Sequence, residues 1–124
     1  MFELSKQFRF ESAHTLDRKI ETESSRRIHG HSYRAEVTVQ GVPDKTSGMV
    51  FDYGFFELAL ENVRDALDHR LLDEVEGLGP ATMENLCAYI WGHLASNLKG
   101  LAKVTVYRDS NGESCVYRGP GKAA

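Results

Sequence analysis

An α+β domain is the fold class this sequence predicts, with a four-stranded antiparallel sheet, two helices on one face and the order ββααββ. Three observations predict it. Two long stretches, about Phe2–His14 and His29–Gly41, alternate apolar and polar residues with the period of a half-buried strand. Two later stretches repeat apolar residues at helical spacing. Asn111-Gly112, set between short alternating runs, is a strong hairpin signal.

Each element follows in order. The first strand places Phe8, Phe10, Ser12 and His14 on one face. Thr15 to about Arg27 reads as a long loop rich in charge and hydroxyl groups, without Gly or Pro, and long loops in compact domains are often functional. The second strand carries His29, His31, Tyr33, Ala35, Val37 and Val39 on one face and ends at Gly41. Pro43 to Gly48 has turn chemistry. Asp52 is a helix N-cap, and Phe55, Leu58, Ala59, Val63, Ala66 and Leu67 form the expected buried stripe of a helix running to about Leu67. Gly77-Leu78-Gly79-Pro80 breaks the chain. Thr82 caps a second helix with Glu84 near its positive end, and Met83, Leu86, Cys87, Ile90, Trp91, Leu94 and Leu98 form its stripe. His93 falls off that stripe, and Gly100 ends the helix. Val104, Val106 and Arg108 alternate in the outgoing arm of the hairpin, and Ser114–Arg118 returns. Gly119–Ala124 reads as a loose tail.

The chain of 124 residues fits one domain, residues 1–124, and its 41% hydrophobic share supports a modest core. A net charge of −3 with mixed signs argues against a nucleic-acid partner held by a basic patch. No charged-then-apolar leader, long apolar run or lipidation motif is present, which reads as a soluble cytoplasmic protein without a membrane partner. Cys87 and Cys115 do not make a disulfide framework. A four-stranded sheet leaves its edges exposed, and oligomerisation is one way to cover them.

His29-Gly30-His31 is the motif that carries chemistry. Both imidazoles project onto the apolar side of one strand, and glycine between them leaves room for close approach to the backbone. If the first two strands pair, His14 meets them. Three protein ligands with one open position is the catalytic form of a zinc site, so His14, His29 and His31 are the candidate metal ligands and Zn2+ the expected cofactor. Asp68-His69 at the end of the first helix is either a proton-carrying pair or a capping pair, a cation at the negative helix end. As a pair it requires that the helix has already ended, because neighbours i and i+1 on a helix do not face each other.

Phe10-Glu11-Ser12-Ala13-His14, His29-Gly30-His31-Ser32-Tyr33, Leu67-Asp68-His69, Thr82-Met83-Glu84-Asn85-Leu86 and Cys115-Val116-Tyr117-Arg118-Gly119 together resemble the 6-pyruvoyltetrahydropterin synthase family, in family order and over about Phe2–Gly119. Its bacterial branch includes 6-carboxytetrahydropterin synthase of the queuosine pathway. The resemblance implies a tunnelling fold whose trimers close their sheets into a barrel, with two trimers stacked as a hexamer and active sites at subunit interfaces. It implies zinc on His14, His29 and His31, with 7,8-dihydroneopterin triphosphate as the small-molecule pterin substrate. It also implies Asp68 and His69 as the proton relay.

Two positions depart from the family pattern. A catalytic cysteine is usual four residues before His29, and here that residue is Ser25. A thiol supplies some thiolate near neutral pH, whereas a hydroxyl needs activation. Glu23 is an alternative base, because some members carry glutamate for the cysteine and cleave the side chain to 6-hydroxymethyldihydropterin. The family also anchors the pterin ring with a glutamate in a pattern like Val-Tyr-Glu-Thr. Here Val106-Tyr107-Arg108-Asp109-Ser110 leaves either Asp109 or Arg108 in that slot, with Glu113 in reserve and Thr82 as a further substrate contact. A protein that holds zinc and a pterin without turning the ligand over is the reading of another class.

Overall fold

The computed structural model describes residues 1–121, and the expected tail from Lys122 onward lies outside them. Strands β1 (Phe2–His14) and β2 (His29–Gly41) pair antiparallel along their whole length, from Phe2 opposite Gly41 to His14 opposite His29. Strand β4 (Leu101–Arg108) lies on the other side of β2, and β5 (Glu113–Tyr117) beyond it, both antiparallel. A two-residue strand, β3 (Arg70–Leu71), runs parallel to β1 at Ser12 and Ala13. The sheet therefore has five strands in the order β3-β1-β2-β4-β5 and is mixed, not four-stranded and antiparallel as the sequence predicts. Two residues are too few for a period-two pattern to be visible.

Three helices accompany the sheet: α1 (Thr22–Arg26), α2 (Tyr53–Leu67) and α3 (Met83–Leu94). The expected loop before β2 thus contains one helical turn, α1, which is too short to carry a helical stripe. Asp52 caps α2, its carboxylate accepting from the Gly54 N–H, and Thr82 caps α3, accepting from the Asn85 N–H. The second of these helices ends at Leu94 rather than at Gly100, and the chain turns before β4.

Both long helices pack on the face of the sheet that bears Phe10, Tyr33, Ala35, Val37, Val39, Val104 and Val106. The α2 stripe is rotated from the predicted one. Phe56, Leu60, Val63 and Leu67 are buried, while Phe55 and Leu58 are 67% and 59% exposed. Two apolar stripes compete on this helix, and the buried one runs unbroken over i, i+4, i+7 and i+11 to the sheet. The opposite sheet face is polar: Ser5 bonds Thr38 at 2.7 Å, Gln7 bonds Glu36 at 2.9 Å, and Ser32 bonds Glu11.

Two glycines are required by close approach. A Cβ on Gly119 would overlap the Trp91 ring, so this residue is packed and not part of a loose tail. Gly100, at φ +81°, would drive a Cβ into the Gln40 carbonyl, whose own N–H is paired to the Gly100 carbonyl at 2.8 Å. Gly100→Ala combines that collision with a left-handed backbone, so it is expected to lower stability by about 2 kcal/mol or more. A urea-unfolding midpoint checks this, and an unchanged midpoint would remove the argument.

Candidate metal centre and ligand cleft

Register alone assembles the histidines. His14 lies directly opposite His29 across the β1–β2 ladder, and Ser12 lies opposite His31, so all three imidazoles share one face. Their ring centroids stand 4.5, 4.8 and 5.0 Å apart, and one nitrogen from each lies within 4.8 Å of the others. Among the described residues this is the group of metal-ligating side chains that could hold an ion.

Hydrogen bonds decide which nitrogens are free. His14 Nδ1 is 2.8 Å from the Ala81 carbonyl and His29 Nδ1 is 2.8 Å from the Arg27 carbonyl. A carbonyl only accepts, so each Nδ1 carries the proton and each Nε2 keeps its lone pair. His14 Nε2 is buried and has no hydrogen-bond partner. Leaving a buried acceptor unpaired costs free energy, and a bound cation would remove that cost. Burial holds His14 below its ordinary pKa, and burial together with the Arg108 guanidinium lowers His31 to about 4. Neutral imidazoles are the form that binds metal, so this donor set fits a divalent ion.

Two connected clefts border the cluster. One, of about 540 Å³, is lined by Ser25, His29, His31, Arg18, Arg108 and Glu113. The other, of about 740 Å³, adjoins His14, Tyr33, Thr82, Cys115, Arg108 and Glu113. Helix α1 brings Ser25 to the first. The Ser25 hydroxyl is nearly buried, donates to the Thr22 carbonyl at 2.9 Å and faces the Arg18 N–H at 3.4 Å. Thr82 reaches the second cleft while capping α3.

Other predicted residues lie elsewhere. Glu23 is exposed and pairs with Arg27 at 3.6 Å, so α1 turns it away from the histidines. Asp109 follows the end of β4 and binds Arg34 through both oxygens at 3.0 Å, on the polar sheet face. That places Asp109 outside the clefts and Arg108 inside them, 15% exposed, with Nη2 2.6 Å from Glu113. The register of the hairpin, Arg108 opposite Glu113, creates this pair. The turn between them is four residues long, Asp109–Gly112, and Asn-Gly forms only its second half. Period-two alternation of 108 with 106 and 104 signals the placement of Arg108, whereas Glu113 has no such signal because its role depends on turn length.

Asp68 ends α2 and accepts the Glu11 N–H at 2.8 Å, while His69 Nδ1 stands 3.0 Å from its other oxygen. The helix has ended there, as a facing pair requires. The Glu11 N–H and the imidazole hold the Asp68 carboxyl below its usual range. His69 sits at φ +57°, in the left-handed region, with its side chain 80% exposed. It borders a shallow surface hollow with His31, Gly30 and Glu11, and His31 also lines the cleft of Ser25.

The 6-pyruvoyl tetrahydropterin synthase family model matches residues 3–120. The chain belongs to that family. It is 36% identical over 112 residues to a 6-carboxy-5,6,7,8-tetrahydropterin synthase of Synechocystis, covering 86% of this chain and 85% of the relative. It is 32% identical over 123 residues to a 6-pyruvoyl tetrahydrobiopterin synthase of Dictyostelium discoideum, covering 89% and 90%. A Drosophila melanogaster protein of the latter name is 38% identical over 99 residues, and the match spans 74% of this chain but only 58% of that relative. The fold superposes on the 6-pyruvoyl tetrahydropterin synthase of Caenorhabditis elegans with a TM-score of 0.82 and 27% identity over 96% of both chains. Family membership and the α+β fold expected from the motifs are thereby established. Names of both the 6-carboxy and the 6-pyruvoyl kind occur among the relatives, so the comparisons leave the product open.

Proposed function

We propose that this chain is a zinc-dependent lyase acting on 7,8-dihydroneopterin triphosphate, with 6-carboxy-5,6,7,8-tetrahydropterin as its product. The observation that carries the reading is the buried, unpartnered His14 Nε2, in a group of three imidazoles whose nitrogens lie within 4.8 Å of one another beside two clefts. The Synechocystis relative, matched over most of both lengths, supports the 6-carboxy product. A divalent ion bound by His14, His29 and His31 supplies polarisation of a substrate oxygen and acidifies the bonds beside it.

The protein's own groups do the rest. The Ala81 and Arg27 carbonyls fix two imidazoles in the tautomer that leaves Nε2 free. Arg18 and Arg108 offer guanidinium donors to an anionic substrate, each shared with a carboxylate, Glu21 and Glu113. Asp68 holds the proton of His69 at Nδ1 and leaves Nε2 to exchange one. Ser25 stands where a base or nucleophile is wanted, but its hydroxyl is committed to the Thr22 carbonyl. That observation favours a second reading in which turnover is weak and the site mainly binds zinc and a pterin. Formation of a 6-pyruvoyl product, or side-chain cleavage to 6-hydroxymethyldihydropterin, is the alternative outcome on the same substrate.

His69 and Ser25 line different hollows that meet at His31, and the outer edge of β1 is unpaired except at Ser12 and Ala13. We therefore propose a homo-oligomer, a hexamer built as a dimer of trimers, in which another copy completes the site. No nucleic-acid or membrane partner is part of the proposal. No helix among the described residues is long and apolar enough to cross a membrane. A cytoplasmic location remains part of the same proposal.

The test is incubation of zinc-loaded and zinc-stripped protein with 7,8-dihydroneopterin triphosphate, followed by mass spectrometry. Zinc-dependent 6-carboxytetrahydropterin is the expected product. Another pterin product moves the chain to a different reaction of the family. Unchanged substrate in the presence of measurable binding leaves the binding reading.

A further inference from the structure

Arg108 makes a contact that a metal-binding histidine cannot keep. Its Nη1 stands 3.3 Å from His31 Nε2. A guanidinium only donates, so this contact uses the lone pair of Nε2. Neutral imidazole has a single ring lone pair. If Nε2 holds it, Arg108 and a metal ion compete for the same electrons. If Nδ1 holds it instead, Nε2 carries a hydrogen that points at the guanidinium, and the contact is lost. In either tautomer, the Arg108–His31 bond and a metal on His31 exclude each other.

The same guanidinium is held from a second side. Glu113 on β5 already holds Nη2 at 2.6 Å, and the buried Nε has no partner at all. The side chain also lines both clefts. A ligand oxygen carrying negative charge in these clefts would compete with His31 for the Nη1 donor and screen the guanidinium from a nearby cation.

We propose that Arg108 opposes metal binding at His31 and that a ligand with an anionic oxygen, a carboxylate or a phosphate, relieves this opposition, so that metal and ligand bind cooperatively. Glu113 holds Nη2 at 2.6 Å while Nη1 stands at His31, and its carboxylate partly neutralises the charge that Arg108 brings to the histidines. The inference rests on the reading that the histidines hold a metal, and it adds a coupling between that metal and the class of ligand.

Zinc affinity is the direct readout, measured by chelator competition on metal-free protein. Arg108→Gln is expected to bind zinc about tenfold more tightly than the parent or better, within the usual size of coupling between sites. Glu113→Gln is expected to bind zinc more weakly, because it leaves the Arg108 charge uncompensated beside the histidines. A purely structural role for the pair would move both variants in the same direction. Arg108→Lys, which keeps the charge, is expected to stay nearer the parent than Arg108→Gln and guards against a folding defect in the latter. Acetate and inorganic phosphate, in separate arms, are expected to tighten zinc in the parent more than in Arg108→Gln, which also corrects for anions that chelate zinc in solution. The arm with the larger effect identifies the anion. Equal or weaker zinc binding by folded Arg108→Gln, or tighter binding by Glu113→Gln, overturns the proposal while leaving the metal centre intact. Absence of zinc binding in the parent overturns both.

Discussion

Replacing His29 with alanine is expected to strip zinc from the protein while leaving the fold in place. His29 is only partly buried and contributes to the centre from the start of β2, where its ring bonds the Arg27 carbonyl. Loss of partners one shell further out commonly lowers metal affinity 10–100-fold, so loss of a ligand itself is expected to cost more than about 100-fold. Zinc per chain after dialysis, read by elemental analysis, should fall from about one to near zero, with turnover falling in step. His14→Ala is a harsher change, because it also removes a buried ring and leaves the Ala81 carbonyl without its donor. His93→Ala serves as the control: His93 is exposed on α3, bonded to the Tyr89 carbonyl, and should leave zinc unaltered. Full zinc retention by the His29→Ala protein would sink the three-histidine centre.

Ser25→Cys is expected to raise turnover by about 100-fold or more, the lower part of the range for a well-placed acid–base group. The serine hydroxyl donates to the Thr22 carbonyl at 2.9 Å and has no base beside it to take its proton. A thiol is a poor donor to that carbonyl and forms thiolate at a pH where a hydroxyl stays protonated. The kcat and its pH profile are the measurements. A gain in kcat with a new ionisation in the neutral-to-basic range supports Ser25 as the reacting position. An unchanged kcat and profile would assign the proton transfers to groups elsewhere, with Asp68–His69 the first to test.

Much of this site was legible before any coordinates. The parity of His29 and His31 with Tyr33, Ala35 and Val37 put both imidazoles on the core face, because a strand leaves no other choice. His14 followed once two strands of equal length and matching pattern were paired. Both capping residues, Asp52 and Thr82, were readable from side-chain chemistry alone, since a helix start needs an acceptor. Placement of Arg108 and Asp109 was not readable to one residue. Counting from either end of the hairpin gave different answers, and the actual length of the turn, Asp109–Gly112, settled them by sending Arg108 inward and Asp109 to Arg34. The stripe of α2 was misplaced for a related reason: Phe55 and Phe56 are adjacent and equally apolar, and only contact with the sheet chooses between them.

By itself, then, the amino-acid sequence determined the four longer strands and the two long helices, the shared face of the three histidines, and the family, because these depend on local periodicity and on residue types at fixed spacing. Tertiary structure decided which nitrogens are left free, that Ser25 enters the cleft while Glu23 does not, and that Arg108 from β4 meets both His31 and Glu113. Those facts depend on hydrogen-bond partners drawn from distant parts of the chain. The Ala81 carbonyl that orients His14 is 67 residues away, and Arg108 is 77 residues from His31, separations at which no local pattern carries information.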